Sequence, residues 1–439
     1  MNEFIVQNIV EIINHYDVIK KWQIKISRID SITISNKSNI YTTNSVNSGM
    51  RYKYRGVFLK SNGTSFVING DSLNEYIFKE SLEMGIEADS DGDFYKESEF
   101  ETYTDVNLVS NDIKNIVLNK DYNKLINYMK DMEDINKDFH GYIELSTKIQ
   151  FIQTYYIKRD KIFQYDETKE NTFVSIYLND MSWNKLISSR KLDTTAVILR
   201  DYLEQYTERE IKDVAYNIKD IKTTLITASA FTKLLDNIFT NNINANEIIQ
   251  DRVYLKKNML DTKILGDFTV IDDGIAELEI GSIMFDNEGT PSKKTIIFED
   301  GYFKTPLITK KSESHFADKG LKVTGNALNG NNVDITNMYI YYKDASDIVV
   351  KGLYIKVHKL KGYNFNKLTG DFNLEANFTE VYIDDNLIDI KDFIISGNLF
   401  EIMNSETTKA TQSKRVDNYV LPNLITDKVK IISNLISNI

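Results

Sequence analysis

Two acids, Asp286 and Glu288, stand just before Gly289 and Thr290 in SIMFDNEGTPSKKTIIFEDGYF, Ser282 to Phe303. The rest of that stretch alternates like a β-hairpin. Carboxylates this close can hold a metal, or can work as a general acid and base if burial splits their pKa values. They can also serve only as turn punctuation, because an Asp or Asn near a glycine caps its own backbone. Asp272–Asp273 and Asp384–Asp385 pose the same choice, and sequence adjacency alone leaves it open.

Metal chemistry finds little support in the other residue types. His15, His140, His315 and His358 are far apart and form no H-E-x-x-H spacing. His358, beside lysines in KVHKL, reads as a strand residue facing solvent. The chain has no cysteine, which removes disulfides, thiolate nucleophiles and any Cys-containing zinc site. No G-x-S-x-G elbow and no phosphate-binding glycine fingerprint is present. TGNALNG (324–330) carries Gly325 and Asn326 but no following helical pattern, so it reads as a turn. DSDGD (89–93) has spaced acids without the final glutamate and flanking helices of a calcium loop, so it reads as a solvated loop in an acidic stretch near 86–105.

Elements must position whatever site exists. At 439 residues, 42% hydrophobic and 27% charged, the chain has ordinary globular composition and enough length for two domains. The net charge of −11, with lysines scattered along the sequence, argues against nucleic-acid binding. No apolar run approaches membrane-spanning length. The N-terminus lacks a basic stretch ahead of its apolar residues, and the expected location is cytoplasmic.

A first domain, 1–220, reads as α+β. An amphipathic helix covers about 1–20, and WQIKISRIDSITISN reads as a half-buried strand pair. GMRYKYRGVFLKSNGTSFVING continues the meander, with Asn62-Gly63 as a two-residue turn. Ser72 and Glu75 suggest a capping box, with Leu73, Tyr76 and Ile77 on one face and Gly85 closing the helix. Another antiparallel meander follows GYIEL, and a helix is expected near 194–218. A second domain, 221–439, has one helix near 228–240. After it come short strands broken by glycine and asparagine, a β-rich sandwich or barrel.

Five pieces of this second half, in order, resemble the TldD/PmbA family, also called modulator of DNA gyrase. They are FDNEGTPSKKTIIFEDGYF, KGLKVTGNA, GLYIKV, LTGDFNLEANF and FIISGNLFEIM. ISRIDSITISN and GMRYKYRGVFL extend the resemblance more faintly into the first half. The resemblance implies two kinds of subunit. The TldD type carries an H-E-x-x-x-H zinc helix and a further cysteine ligand, and cleaves short or unfolded peptides. The PmbA or TldE type lacks those ligands and pairs with it.

On this resemblance ASAFTKLLDNIFTNN is the corresponding helix, with Phe231, Leu234, Leu235 and Ile238 as its apolar stripe. Asp236, Asn237 and Asn241 then stand at the metal-motif positions. One carboxylate and two neutral amides make a poor zinc set. The resemblance therefore implies a non-catalytic TldE/PmbA-like subunit of a heterodimeric metallopeptidase acting on unfolded or precursor peptides. Zinc is expected in the TldD-type partner and no cofactor in this chain. Asp286, Glu288, Gly289, Thr290, Gly325, Asn326, Gly370, Asp371, Phe372, Gly397 and Asn398 are the expected channel or interface positions. Two alternatives remain: a stand-alone or homodimeric peptide-binding protein, and a hydrolase using a carboxylate pair.

Overall fold

The computed structural model describes residues 3–36, 43–88, 105–134, 141–158, 161–178, 181–203, 211–329 and 332–434. The acidic DSDGD stretch and His140 lie outside them. The chain divides into two compact units. The first takes Met1–Ser98, Asn107–Thr207 and Glu277–Ile280, and the second Glu99–Val106, Glu208–Ala276 and Gly281–Ile439. The fold is α+β and the second unit is β-rich.

In the first unit six antiparallel strands form one sheet. They are β1 Ile19–Asn36, β2 Thr43–Lys60, β3 Ser65–Gly70, β4 Tyr142–Lys158, β5 Lys161–Leu178 and β6 Met181–Ser189, in the order β3-β2-β1-β4-β5-β6. The strand pair expected in WQIKISRIDSITISN is one continuous strand, paired with β4 from Ile24 to Asn36. Arg28 and Asp30 interrupt the apolar register there and imitate a turn. They lie on the same face as Ile26 and Ile32, and Arg28 Nε reaches Asp30 Oδ2 at 3.0 Å. The ion pair lets the strand run through. The turn at Asn62-Gly63 is also one residue longer than expected. Lys60 N donates to Thr64 O at 2.7 Å, closing a three-residue loop with Gly63 at φ +86°.

Helices pack on this sheet: α1 Glu3–Asn14, α2 Glu75–Glu87, α3 Asn111–Asn119, α4 Tyr122–Asp134 and α5 Leu192–Leu203. α1 and α2 bury Val6, Ile9, Ile13, Phe78 and Leu82 with Ile24, Ile26 and Phe58 in one cluster. The cap of α2 is not Ser72. Asn74 accepts from Tyr76 N at 2.9 Å and Ile77 N at 3.3 Å, Gly85 lies inside the helix, and Tyr76 and Ile77 face solvent. Asn74→Ala should therefore cost about 1 kcal/mol, and Ser72→Ala almost nothing, readable as shifts in the urea midpoint. α5 begins at Leu192, and residues 211–217 are not helical, so the helix expected over 194–218 is shorter.

The second unit holds two larger sheets. One orders Tyr302–Phe303, Lys294–Glu299, Phe268–Asp273, Met338–Tyr342, Tyr419–Leu421 and Lys414–Val416. The other orders Lys409–Ala410, Leu424–Thr426, Thr223–Ile226, Leu353–Val357, Asp371–Ile383, Asn386–Asn398 and Lys430–Asn434, with Lys359–Lys361 beside Asp371–Ile383. Their core encloses the helix starting at Ala228, where Phe231, Leu234, Leu235, Ile238 and Phe239 are fully buried. The first four are the stripe read from the sequence, and Phe239 joins them. His358 does not face solvent. It is buried, with Nε2 at 3.1 Å from Glu380 Oε2.

Candidate functional site

The helix at the centre of the second unit changes pitch. Ala228–Leu234 is α-helical, Leu235–Phe239 is a π-turn in which Thr240 N donates to Leu235 O, and Thr240–Asn242 is α-helical again. A π-turn inserts one residue, so residues five apart share a face. Asp236 and Asn241 are five apart, and both line one cleft of about 330 Å³. Asn237 does not line it: its amide nitrogen bonds back to Lys233 O at 2.8 Å. The structure thus presents two of the three metal-motif positions to one space.

Other walls of the cleft come from distant segments. Leu307, Leu328, Val333, Asp334 and Tyr419 are among them, while Thr240 and Asn244 continue the wall begun by Asp236 and Asn241. Asn244 caps the helix Ala245–Ile249 through Asn246 N. Tyr419, on a short strand, donates its hydroxyl to Asp236 Oδ1 at 2.5 Å. Burial raises the Asp236 carboxyl against that hydrogen bond, and nearby Asp417 and Asp334 push the same way. The Tyr419 phenol is raised well above its ordinary value by burial and by Asp236. Burial also raises Asp334. Sequence reading missed Tyr419 and Asp334, and no local pattern could have joined them to a helix so remote in sequence. Asn244 did leave a signal, since N-A-N-E is an Asn cap followed three residues later by Glu.

This donor set does not fit zinc. Asp236 gives one oxygen to Tyr419, Asn241 donates its amide nitrogen to Asn237 O, and the remaining amide oxygen is a hard neutral donor. Among the described residues no group of three or more His, Cys, Asp or Glu could hold a metal ion.

The positions around Asp286 form a second cluster. Asp286 Oδ1 accepts from Glu288 N at 2.9 Å and Thr290 N at 2.8 Å, and Oδ2 accepts from Ala327 N at 2.9 Å. Gly289 takes φ +71° to close the turn. Glu288 Oε2 accepts from Lys310 N at 2.9 Å. Gly325, at φ +79°, lies so close to this loop that a Cβ would sit 2.5 Å from Pro291 O. Asn326 donates to Asp272 Oδ2 at 2.7 Å and to Asp334 O at 3.1 Å, which ties the cluster to a cleft residue. Asp272 is fully buried, and burial lifts it to about 6 despite donors from Asn326 and Thr336. Both oxygens of Asp286 are occupied by backbone, so its geometry is that of a loop clamp.

The last group is separate. Asp371 pairs with Asn398 and Phe372 with Gly397 across adjacent strands. Asn398 Nδ2 donates to Asp371 Oδ1 at 2.8 Å, while Phe372 is buried beside Gly397. Gly370 turns at φ +89°. None of these residues lines the cleft.

Comparisons with known proteins agree with this architecture. Residues 221–433 match the model of the PmbA/TldA metallopeptidase C-terminal domain. A protein of uncharacterised function from Methanocaldococcus jannaschii is 24% identical over 385 residues, covering 79% of this chain and 88% of its own. A metalloprotease from Archaeoglobus fulgidus is 29% identical over 175 residues, 38% of this chain and 40% of its own. Among solved structures, TldE from Thermococcus kodakarensis aligns with a TM-score of 0.73 at 16% identity, covering 97% of this chain and 99% of its own, which shows the shared fold. No helix among the described residues is long and apolar enough to cross a membrane.

Proposed function

This chain belongs to the PmbA/TldD metallopeptidase family, whose C-terminal domain it carries in residues 221–433, and from that premise we propose that it is the non-catalytic, TldE/PmbA-like subunit of a two-chain zinc peptidase. One observation carries the reading. The π-turn brings Asp236 and Asn241 to one cleft, where the family's metal motif would stand, with a side-chain set unsuited to zinc. A TldD-type partner would supply the metal and the water it activates. This chain's own residues would enclose an unfolded or precursor peptide. The end strands of its sheets would serve that task, because backbone pairing holds an extended chain without strict sequence preference.

The test is metal analysis with a peptidase assay on this chain alone and after mixing with a TldD-type chain. Alone, it should retain no stoichiometric zinc and cleave no unfolded peptide. With the partner, a mixed complex should form and carry both. Zinc held by this chain alone, or cleavage by it alone, contradicts the proposal. A chain that stays homodimeric beside the partner defeats the heterodimer and favours the peptide-binding alternative.

A further inference from the structure

Several lysines and arginines that are scattered in sequence meet on one sheet face of the first unit. On β2, Arg51, Lys53 and Arg55 are alternate residues and share one face of the sheet. Register extends that face across the neighbouring strands. Arg55 lies opposite Lys25, Lys53 opposite Ser27 and Arg51 opposite Ile29 on β1. On β4, Tyr156, Thr154, Ile152, Gln150 and Lys148 continue the same rows, and β5 adds Tyr165, Glu167 and Lys169. Two contacts support the assignment of the face: Ser27 Oγ lies 2.9 Å from Thr154 Oγ1, and Lys25 Nζ lies 5.9 Å from the Tyr165 ring centre.

Among the described residues, six cations therefore share this part of the face with one carboxylate, Glu167. That acid is committed to Arg190 at 3.0 Å and Lys169 at 3.5 Å. Among the described residues Lys53 meets only the exposed Asp71, at 3.6 Å. Among the described residues neither Arg51 nor Lys148 has a carboxylate within ion-pair distance. Burial lowers Lys148, and Arg51 and Lys53 lower it further, so the three ammonium and guanidinium groups feel one another. Like charges on neighbouring strands destabilise a sheet, and local conflict of this kind is expected where a surface serves a ligand. The chain as a whole carries −11, which makes a cationic face a departure from its background.

We propose that this face of the first unit, centred on Arg51, Lys53 and Lys148, binds an extended acidic peptide segment. Two strand residues rise about 6.8 Å, so Arg51, Lys53 and Arg55 repeat at the spacing of alternate side chains in an extended ligand. The hydroxyls of Ser27, Ser31 and Thr33 and the amide of Gln150 lie between the cations as secondary partners. A single-stranded nucleic acid fits less well. Stacking of successive bases needs a series of exposed aromatic rings, whereas Tyr156 is buried, Tyr165 is engaged with Lys25 and Phe173, exposed on this face, is a single ring. The inference concerns the first unit and stands whether or not the second unit pairs with a catalytic chain.

Fluorescence anisotropy on the full chain tests it, with a labelled peptide alternating Glu and Ser, its Gln/Ser counterpart and a single-stranded oligonucleotide. The Glu peptide should bind more tightly than the Gln peptide by about tenfold or more, and its affinity should fall with added salt. The double variant Arg51→Gln/Lys148→Gln should lose about tenfold in affinity for the Glu peptide. Lys79→Gln, an exposed cation on α2, should bind as the native chain does. Circular dichroism shows whether each variant is folded, and single variants Arg51→Gln and Lys148→Gln serve if the double one is not. Equal binding of Glu and Gln peptides, affinity unchanged in the variants, or tighter binding of the oligonucleotide would overturn the proposal.

Discussion

Arg190→Ala is expected to destabilise the first unit by about 3–5 kcal/mol, the usual cost of stripping one partner from a buried ion pair. Arg190 is fully buried. Its Nη1 donates to Glu167 Oε2 at 3.0 Å and Thr168 O at 2.8 Å, and its Nε to Glu279 O at 3.0 Å. Removing it orphans two carbonyls and leaves Glu167 with less cationic company. Burial would push Glu167 up, yet Lys169, Arg190 and Lys25 together hold it down to about 2. Because the folded value lies below the ordinary one, this group's stabilisation is present above about pH 4.5 and fades as pH falls towards 2. The variant should flatten that acid limb. Both tryptophans, Trp22 and Trp183, belong to the first unit, so urea unfolding followed by their fluorescence reads the loss. Glu167→Gln in the same background should recover part of it. An Arg190→Ala chain unfolding at the native midpoint would show that the pair is not a support.

How much of this was legible in the sequence depends on the range over which each signal acts. The stripe Phe231, Leu234, Leu235 and Ile238 was readable because burial of a helix face imposes its own period. The long strands were readable as alternation, and the error at Arg28 and Asp30 arose because a pair that satisfies itself within the sheet looks like a polar turn. α3 and α4 went unread although Ile113, Ile116 and Val117, then Leu125, Met129 and Met132, keep helical spacing. Their stripes are narrow and sit among Asn, Asp and Lys residues, which favour helices weakly or face solvent. The cap at Asn74 was misplaced because Ser72 and Glu75 satisfy the same spacing rule one register away.

Site residues divide in the same manner. Asp236 and Asn241 could be singled out by resemblance, but the reason they share a cleft is a pitch change that no periodicity argument anticipates. Tyr419 reaches Asp236 across 183 positions, a pairing set by sheet order. Arg51 and Lys148 lie nearly a hundred residues apart and meet only through the register of β2, β1 and β4. Composition argued against nucleic-acid binding and carried no sign of the local cationic face that strand pairing assembles. Net charge describes the whole chain, whereas binding responds to the local field of one face.

Asp286→Ala should open the loop that joins Phe285–Pro291 to Gly325–Ala327, at a cost of about 3 kcal/mol or more. Three backbone N–H groups lose their acceptor, and each buried donor left unsatisfied costs about 1–3 kcal/mol, partly offset where water can enter. Asp286→Asn should be milder, because one amide oxygen can still accept from Glu288 N and Thr290 N while the amide nitrogen faces Ala327 N. The native group also titrates. Burial pushes Asp286 up to about 7, against its backbone donors from Ala327, Thr290 and Glu288 and with help from the Glu288 charge. A folded value above the ordinary 3.8 means that its contribution is complete below about pH 4 and is lost as pH rises through 7. Asp272, lifted to about 6, and Glu170, lifted to about 7 by burial against Tyr128, Thr195 and Thr172, carry the same sign. The native chain should therefore unfold more easily at about pH 8 than at about pH 5, and Asp286→Asn should remove only its own share of that slope. Calorimetry at both pH values measures the slope, and hydrogen exchange in the peptides around Phe285 and Ala327 localises it. A variant with the full native slope would place the titration elsewhere and leave Asp286 a permanently ionised clamp.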